Sequence, residues 1–333
     1  MGRIFVTGAS GFIGGALATR LIERGEDLVA LARSDESAGR LAARGLEVAR
    51  GDVLDEDSLA AGMAGCELVY HVAGINSHCP PDPRLLLRVN ALGPELVVRA
   101  AARAGVRRVV YTSSAAAVGE PAGTVGHERT IHRRSYLSLY DRSKHEGEQA
   151  AFATAHRTGV ELVAVNPSSV QGPGRKAGNG KLVIDYLNGK LPAFVDTHVS
   201  VVDIDDTTEG HVLAAERGRH GARHVLNGAT ITTGEVLELI ARLSGVRQHV
   251  RLVPPAVAMA AATVAEGAYR LRGRTPSLCR GRVRTFLHGH RYDGSFATRE
   301  LGLVYTPVEE TFRRTIEWAV REGLVTRPLT RRP

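Results

Sequence analysis

Lysine is nearly missing from this chain. Of 43 Lys and Arg residues only Lys144, Lys176, Lys181 and Lys190 are lysines, so arginine carries the net charge of +8 and each lysine position is conspicuous. Aromatic residues make up 5% of the chain. The densest basic patch (Arg270, Arg272, Arg274, Arg280, Arg282, Arg284 and Arg291) accordingly holds no run of interleaved stacking rings, only Phe286, and no nucleic-acid motif. It reads as a solvated face or a surface for an anionic ligand, not as a nucleic-acid interface. The three cysteines, Cys66, Cys79 and Cys279, have no CxxC pairing and no histidine at metal-ligand spacing. Neither a zinc site nor a disulfide framework is expected, and the thiols read as reduced and structural, with no metal bound. Long hydrophobic runs are also missing. No uncharged stretch, Leu252 to Ala265 included, is long enough for a membrane span, and the N-terminus enters a strand pattern with no signal-peptide layout. A cytoplasmic protein is expected.

A chain of 333 residues with 43% apolar and 23% charged residues can bury one large core and a smaller appended lobe. Short β-branched runs at Ile4–Thr7, Asp27–Leu31, Glu47–Ala49, Leu68–Val72, Arg108–Thr112 and Leu162–Asn166 alternate with helical patterns at Gly14–Glu23, Asp57–Ala64, Leu85–Ala104 and Tyr140–Arg157. The strand runs are continuously apolar, as expected when helices cover both faces of a parallel sheet. The fold class is α/β, a Rossmann doubly wound parallel sheet with a smaller mixed α/β substrate-binding lobe. Residues 1–167 are assigned to the dinucleotide-binding domain, with 203–228 returning to it. Residues 168–202 and 229–326 are assigned to the lobe, and 327–333 to a disordered tail.

Directly after the first strand come Thr7, Gly8, Ala9, Ser10, Gly11, Phe12, Ile13 and Gly14, opening a helix. Glycines spaced three and three let the backbone approach a pyrophosphate, whose charge is met by the helix N-terminal amides. The ribose reader belongs at the end of the second strand, where Arg33 stands. A guanidinium suits the 2′-phosphate of NADP, whereas a carboxylate would suit the free hydroxyl of NAD. NADP(H) is preferred and NAD(H) remains open, because Asp35 and Glu36 follow closely; Arg40 is a second candidate for the phosphate.

Tyr140 and Lys144 stand four residues apart and share one helix face. An ammonium beside a phenol lowers the phenol's pKa, which lets Tyr140 exchange a proton with a substrate oxygen. Upstream, Thr112, Ser113 and Ser114 end a buried strand at its carboxyl edge, where ligands bind in open α/β sheets. Ser114 is the candidate to hold the substrate oxygen, with Thr112 and Ser113 as strand-end caps. Tyr136 has no lysine four residues on and reads as a pocket residue; His71, His78 and His211 read as core or loop histidines.

With these residues the sequence resembles the extended short-chain dehydrogenase/reductase family, whose pattern is TGxxGxxG, a strand-end serine and YxxxK. Gly51-Asp52-Val53, His71-Val72-Ala73-Gly74, Asn90 and Asn166 to Pro173 extend the likeness over nearly the whole chain. The stretch from Asp196 to His211 looks most like dihydroflavonol-reductase-like proteins and the group called hopanoid-associated sugar epimerases. The resemblance implies that Asp52 and Val53 contact adenine, that Ala73 and Gly74 line the ribose, and that Pro167 to Val170 flank the nicotinamide. It implies hydride transfer to a carbonyl carbon while Tyr140 protonates the oxygen, Lys144 holds the ribose and Ser114 bonds the oxygen. A homodimer through the Leu85–Ala104 and Tyr140–Arg157 helices is implied as well. Nucleotide-sugar enzymes of the family carry a diphosphate-clamping arginine where this chain has Val199, although Arg175, Lys176 or the basic patch could substitute. An NADPH-dependent reductase of a cyclic or lipophilic carbonyl compound is expected, with a nucleotide-sugar epimerase or dehydratase as the alternative.

Overall fold

The computed structural model describes residues 2–276 and 278–327; of the expected tail, 328–333 lie outside the described residues. The first half runs β1 (Arg3–Thr7), α1 (Phe12–Glu23), β2 (Leu28–Ala32), α2 (Asp35–Ala42), β3 (Glu47–Arg50), α3 (Glu56–Gly62), β4 (Cys66–His71), α4 (Pro83–Leu87), α5 (Gly93–Arg103), β5 (Arg108–Thr112), α6 (Leu139–Thr158) and β6 (Glu161–Pro167). The second half runs β7 (Ser169–Gln171), α7 (Asn179–Leu187), β8 (Ala193–Val195), β9 (His198–Asp203), α8 (Ile204–Arg217), β10 (Arg223–Leu226), β11 (Ala229–Thr232), α9 (Thr233–Ser244), β12 (Arg251–Val253), α10 (Pro255–Leu271), α11 (Arg280–His288), α12 (Ser295–Leu301) and α13 (Val308–Arg321).

Seven parallel strands form the main sheet in the order β10-β6-β5-β4-β1-β2-β3. Alternation along β1 sends Ile4 and Val6 to one face, with Leu17, Leu21 and Leu213, and Phe5 to the other, with Val98 and Leu162. Both faces are thereby buried, which explains why the strands read as unbroken apolar runs. Strand order reverses between β1 and β4, and the crevice outside their carboxyl ends is the expected ligand position in such a sheet. The segment 203–228 supplies α8, packed on α1, and β10, paired with β6.

The expected continuous helix over Leu85–Ala104 is instead α4, a π-helical turn at Arg88–Leu92, and α5. Pro94 cannot donate a backbone hydrogen bond, so the regular ladder is broken there, and the wider turn holds Asn90 buried. Beyond β6, β7, β9 and β11 form a second sheet and β8 pairs with β12. These, with α7, α9 and α13, enclose Leu187, Ile240, Phe312 and Ile316.

The reading of all three cysteines as reduced is corrected. Cys79, in the loop after β4, and Cys279, the N-cap of α11, form a disulfide with their Cα atoms 5.9 Å apart across 200 residues of sequence. Pairing at that separation depends on the lobe folding back over the β4–α4 loop, and no local spacing encodes it. Cys66 is a buried free thiol.

Candidate active site

The glycine loop is built by close backbone approaches. Gly8 has φ +77, and a Cβ there would stand 2.6 Å from the Ala73 amide nitrogen; a Cβ on Gly14 would stand 2.2 Å from the Gly8 carbonyl oxygen. Gly11 donates its amide to the Gly8 carbonyl and caps α1 without a side-chain bond, so the first amides of α1, from Phe12, Ile13 and Gly14 onward, face the crevice. Such a cradle fits a dinucleotide pyrophosphate. Thr7 Oγ1 accepts from the Ala73 amide at 3.1 Å and lies 2.8 Å from His71 Nδ1, tying the ends of β1 and β4 together. Gly74 lies beside Lys144: its Cβ would stand 3.3 Å from Asn90 Oδ1 and 3.9 Å from Lys144 Nζ.

β2 ends at Ala32, so Arg33 is the first residue beyond it, exposed and without an ion-pair partner among the described residues. Its competitors are occupied. Asp35 pairs with Arg50 at 2.7 Å, and Arg40 pairs with Glu36 at 3.2 Å. Asp52 accepts from the Leu54 amide at 2.9 Å, and Val53 is packed in the core beneath it. Pro167 closes β6, and Val170 is buried in β7.

Ser138 caps α6 by accepting from the Asp141 amide at 3.2 Å, which sets Tyr140 in the first turn and Lys144 one turn on. Lys144 Nζ donates to the Thr112 carbonyl at 2.9 Å and lies 5.0 Å from the Tyr111 ring centroid. Burial lowers its pKa to about 8, against the opposing pull of Glu148. Burial also pushes the Tyr140 phenol up, opposed by a hydrogen bond with Ser114. The expected lowering of Tyr140 by Lys144 is therefore not what the structure has, because the ammonium is turned to the Thr112 carbonyl. Of the three strand-end hydroxyls, Thr112 Oγ1 is committed to His211 at 2.7 Å and Ser113 is buried. Ser114 is left as the hydroxyl that meets Tyr140, while its Oγ accepts from the Ala116 amide and Asn166 Nδ2 donates to its carbonyl. Asn90 holds the neighbouring backbone, accepting from the Ile75 amide at 2.8 Å and donating to Ser143 Oγ at 3.1 Å.

Two more residues join the site: His78, read from sequence as a core or loop histidine, and Arg175, read only as a possible substitute for the diphosphate clamp. His78 packs edge-on against Tyr140, ring centroids 5.1 Å apart, with Nδ1 3.2 Å from Ser138 Oγ. Arg175 lies over the Phe12 ring at 5.6 Å and donates to the Val170 carbonyl; its charge acts on Tyr140. A loop histidine and a loop arginine carry no periodic signal, so neither had a local mark. Next to the site a cleft of about 740 Å³ is lined by His78, Tyr136, Leu137, Leu139, Arg142 and the Cys79–Cys279 bridge, among others. Val199, by contrast, packs in the apolar cluster of Val183, Leu187, Phe194, Ile240 and Phe312.

A model of the NAD dependent epimerase/dehydratase family matches residues 4–227. The chain is 31% identical to a Synechocystis protein named as a dihydroflavonol 4-reductase, over 96% of this chain and 95% of that one. It is 32% identical to the 4-hydroxy-2-methyl-3-oxo-4-farnesyl-3,4-dihydroquinoline-1-oxide ketoreductase of Stigmatella aurantiaca, over 90% and 91% of the two chains. Among solved structures, MoeE5 in complex with UDP-glucose and NAD is 26% identical with a TM-score of 0.77, covering 97% of this chain and 100% of that one.

Proposed function

The chain belongs to the NAD-dependent epimerase/dehydratase family, whose members here are NAD(P)-dependent enzymes of carbonyl and hydroxyl groups, and from that premise we propose that it is an NADPH-dependent reductase. Its substrate is a ketone or aldehyde of a cyclic or lipophilic small molecule, and the reverse dehydrogenation runs through the same groups. Gly8, Gly11, Phe12, Ile13 and Gly14 would hold the pyrophosphate, Arg33 the 2′-phosphate, Asp52 and Val53 the adenine side, Ala73 and Gly74 the ribose, and Pro167 and Val170 the nicotinamide side. When bound, the nicotinamide supplies the hydride that reduces the carbonyl carbon. Tyr140, kept protonated by burial, gives its proton to the carbonyl oxygen. Ser114 donates a hydrogen bond to the same oxygen as negative charge develops. Lys144, buried beside Gly74, holds the ribose hydroxyls and orients the phenol's turn of α6.

The observation that carries the choice of a carbonyl over a sugar nucleotide is the packing of half-buried Val199 against apolar side chains where the family's clamp would stand, since a diphosphate needs a fixed cationic partner. The named activity of the Stigmatella relative, reduction of a farnesylated ketone, supports the same choice. One observation favours the second reading, a nucleotide-sugar epimerase or dehydratase: Arg175 sets a buried guanidinium beside Phe12 and Tyr140, where it could meet a diphosphate from the other side of the site. Both readings include a homodimer through the α5 and α6 helices. The test follows NADPH absorbance over a panel of cyclic and lipophilic ketones, aldehydes and nucleotide sugars. Stoichiometric oxidation with a ketone, lost in Tyr140→Phe, is expected. Interconversion of a nucleotide sugar with no net NADPH consumption would overturn the reductase.

A further inference from the structure

Behind the Ser114 turn the chain assembles a donor set unrelated to hydride transfer. Glu120, 1% exposed, presents one carboxylate oxygen to two imidazoles: His290 Nδ1 at 2.5 Å and His288 Nε2 at 3.3 Å. The donors come from elements 170 residues apart in sequence. Gly289, at φ +65, ends α11 in the left-handed conformation, and that turn brings the rings on either side of it to the same carboxylate, their centroids 4.6 Å apart. The three ligand atoms all lie within 4.8 Å of one another.

Protein hydrogen bonds do not exhaust the cluster. Tyr292 Oη lies 2.9 Å from His290 Nδ1, and Arg133 Nη1 donates to the Glu120 main-chain carbonyl at 3.2 Å. Yet Glu120 Oε2 and His290 Nε2 are buried with no partner. Of the nearby cations, Arg133 meets the Glu120 main chain and sets Nη2 3.8 Å from Asp141, and Arg291 Nη2 lies 3.3 Å from His198 Nδ1.

Two imidazole nitrogens and one carboxylate are the ligands of zinc-class ions, not of magnesium or calcium, which take oxygen throughout. Two ligands at ~2.0 Å from a tetrahedral ion stand ~3.3 Å apart. The Glu120–His288 pair already has that separation, and the Glu120–His290 pair reaches it by opening less than about 1 Å. We infer that Glu120, His288 and His290 form a binding site for a first-row divalent transition-metal ion, with a fourth coordination position left for water or a small ligand. An ion there clips the segment following α11 to the loop behind Ser114, so its loading stiffens the wall of the site without touching the reacting atoms.

The full chain, prepared without a histidine tag and stripped with a chelator, is titrated with Co²⁺ alone and then with Zn²⁺. One equivalent of Co²⁺ should develop the visible absorption of a low-coordinate nitrogen/oxygen site, Zn²⁺ should bleach it, and Zn²⁺ should raise the melting temperature. His288→Gln and His290→Gln should each weaken binding about tenfold or more, and the double variant should abolish the band. Because Glu120→Gln also removes a buried charge, the histidine variants, shown by circular dichroism to be folded, are the decisive ones. Failure of the unaltered chain to take up a stoichiometric ion, or an unchanged spectrum and stoichiometry in the folded double variant, would overturn the site.

Discussion

Reducing the Cys79–Cys279 bridge should cost the fold several kilocalories and leave a signature that can be counted. The bond closes a loop of 200 residues. In the chain-entropy account, closing a loop of that length restricts the unfolded ensemble by about 5 kcal/mol, and native disulfides contribute roughly 2–5 kcal/mol in practice. For a chain of this size each kcal/mol moves the melting temperature by about 2 °C, so a dithiol should lower it by roughly 4–10 °C. The assay has two parts. In denaturant without reductant, one free thiol, that of buried Cys66, should react with a chromogenic disulfide reagent, and three should react after reduction. Thermal or guanidinium midpoints are then compared with and without dithiol for the unaltered chain and for Cys279→Ser, which should melt like the reduced chain and ignore the dithiol. The bridge also anchors the loop that carries His78 against Tyr140, so reduction should raise KM more than it lowers kcat. Three reactive thiols before reduction, or equal midpoints with and without dithiol, would refute the reasoning.

Arg33→Ala should weaken NADPH binding by about 10- to 100-fold and NADH by far less, measured as the two KM values, because in the proposed role Arg33 is a charged hydrogen-bond donor for the 2′-phosphate, which NADH lacks. Gly14→Ala puts a Cβ 2.2 Å from the Gly8 carbonyl oxygen, so the loop must shift; dinucleotide binding by fluorescence titration should be lost while the circular dichroism spectrum stays that of the unaltered chain. Lys144 has its folded pKa lowered to about 8, below the ordinary 10.5, so the unfolded chain binds the extra proton between those values. The cost of burying the ammonium is full below pH 8, amounts to about 3 kcal/mol, and is relieved as pH rises toward 10.5. Stability of the cofactor-free chain should thus rise through that window, and in Lys144→Met the rise should vanish, as read by denaturant midpoints across pH.

The strands were legible because burial on both sheet faces leaves unbroken apolar runs, and β5 lies at Arg108–Thr112 in sequence pattern and structure alike. Ends were less legible. β2 begins and ends one residue later than its apolar run suggests, and that shift places Arg33, with Asp35 turned to Arg50, directly at the strand end. The Leu85–Ala104 pattern kept its helical period through a π turn, since one added residue per turn disturbs the apolar spacing too little to register.

What the sequence alone determined is what short-range geometry dictates. Three glycines at fixed spacing after a strand let the backbone turn tightly into a helix N-terminus, and a tyrosine and lysine four apart share a helix face. Only the tertiary structure decided which strand-end hydroxyl meets Tyr140, that His78 and Arg175 flank it, that Cys79 finds Cys279, and that Glu120 meets His288 and His290. The contacts of Arg175, Cys279, His288 and His290 depend on where the chain beyond β6 folds back over the carboxyl ends of the sheet, whereas Ser114 and His78 meet Tyr140 through the packing of β4, β5 and α6 within the first 167 residues. Contacts between residues so far apart in the chain are set by packing of whole elements, and their spacing in sequence carries no period from which they could be read.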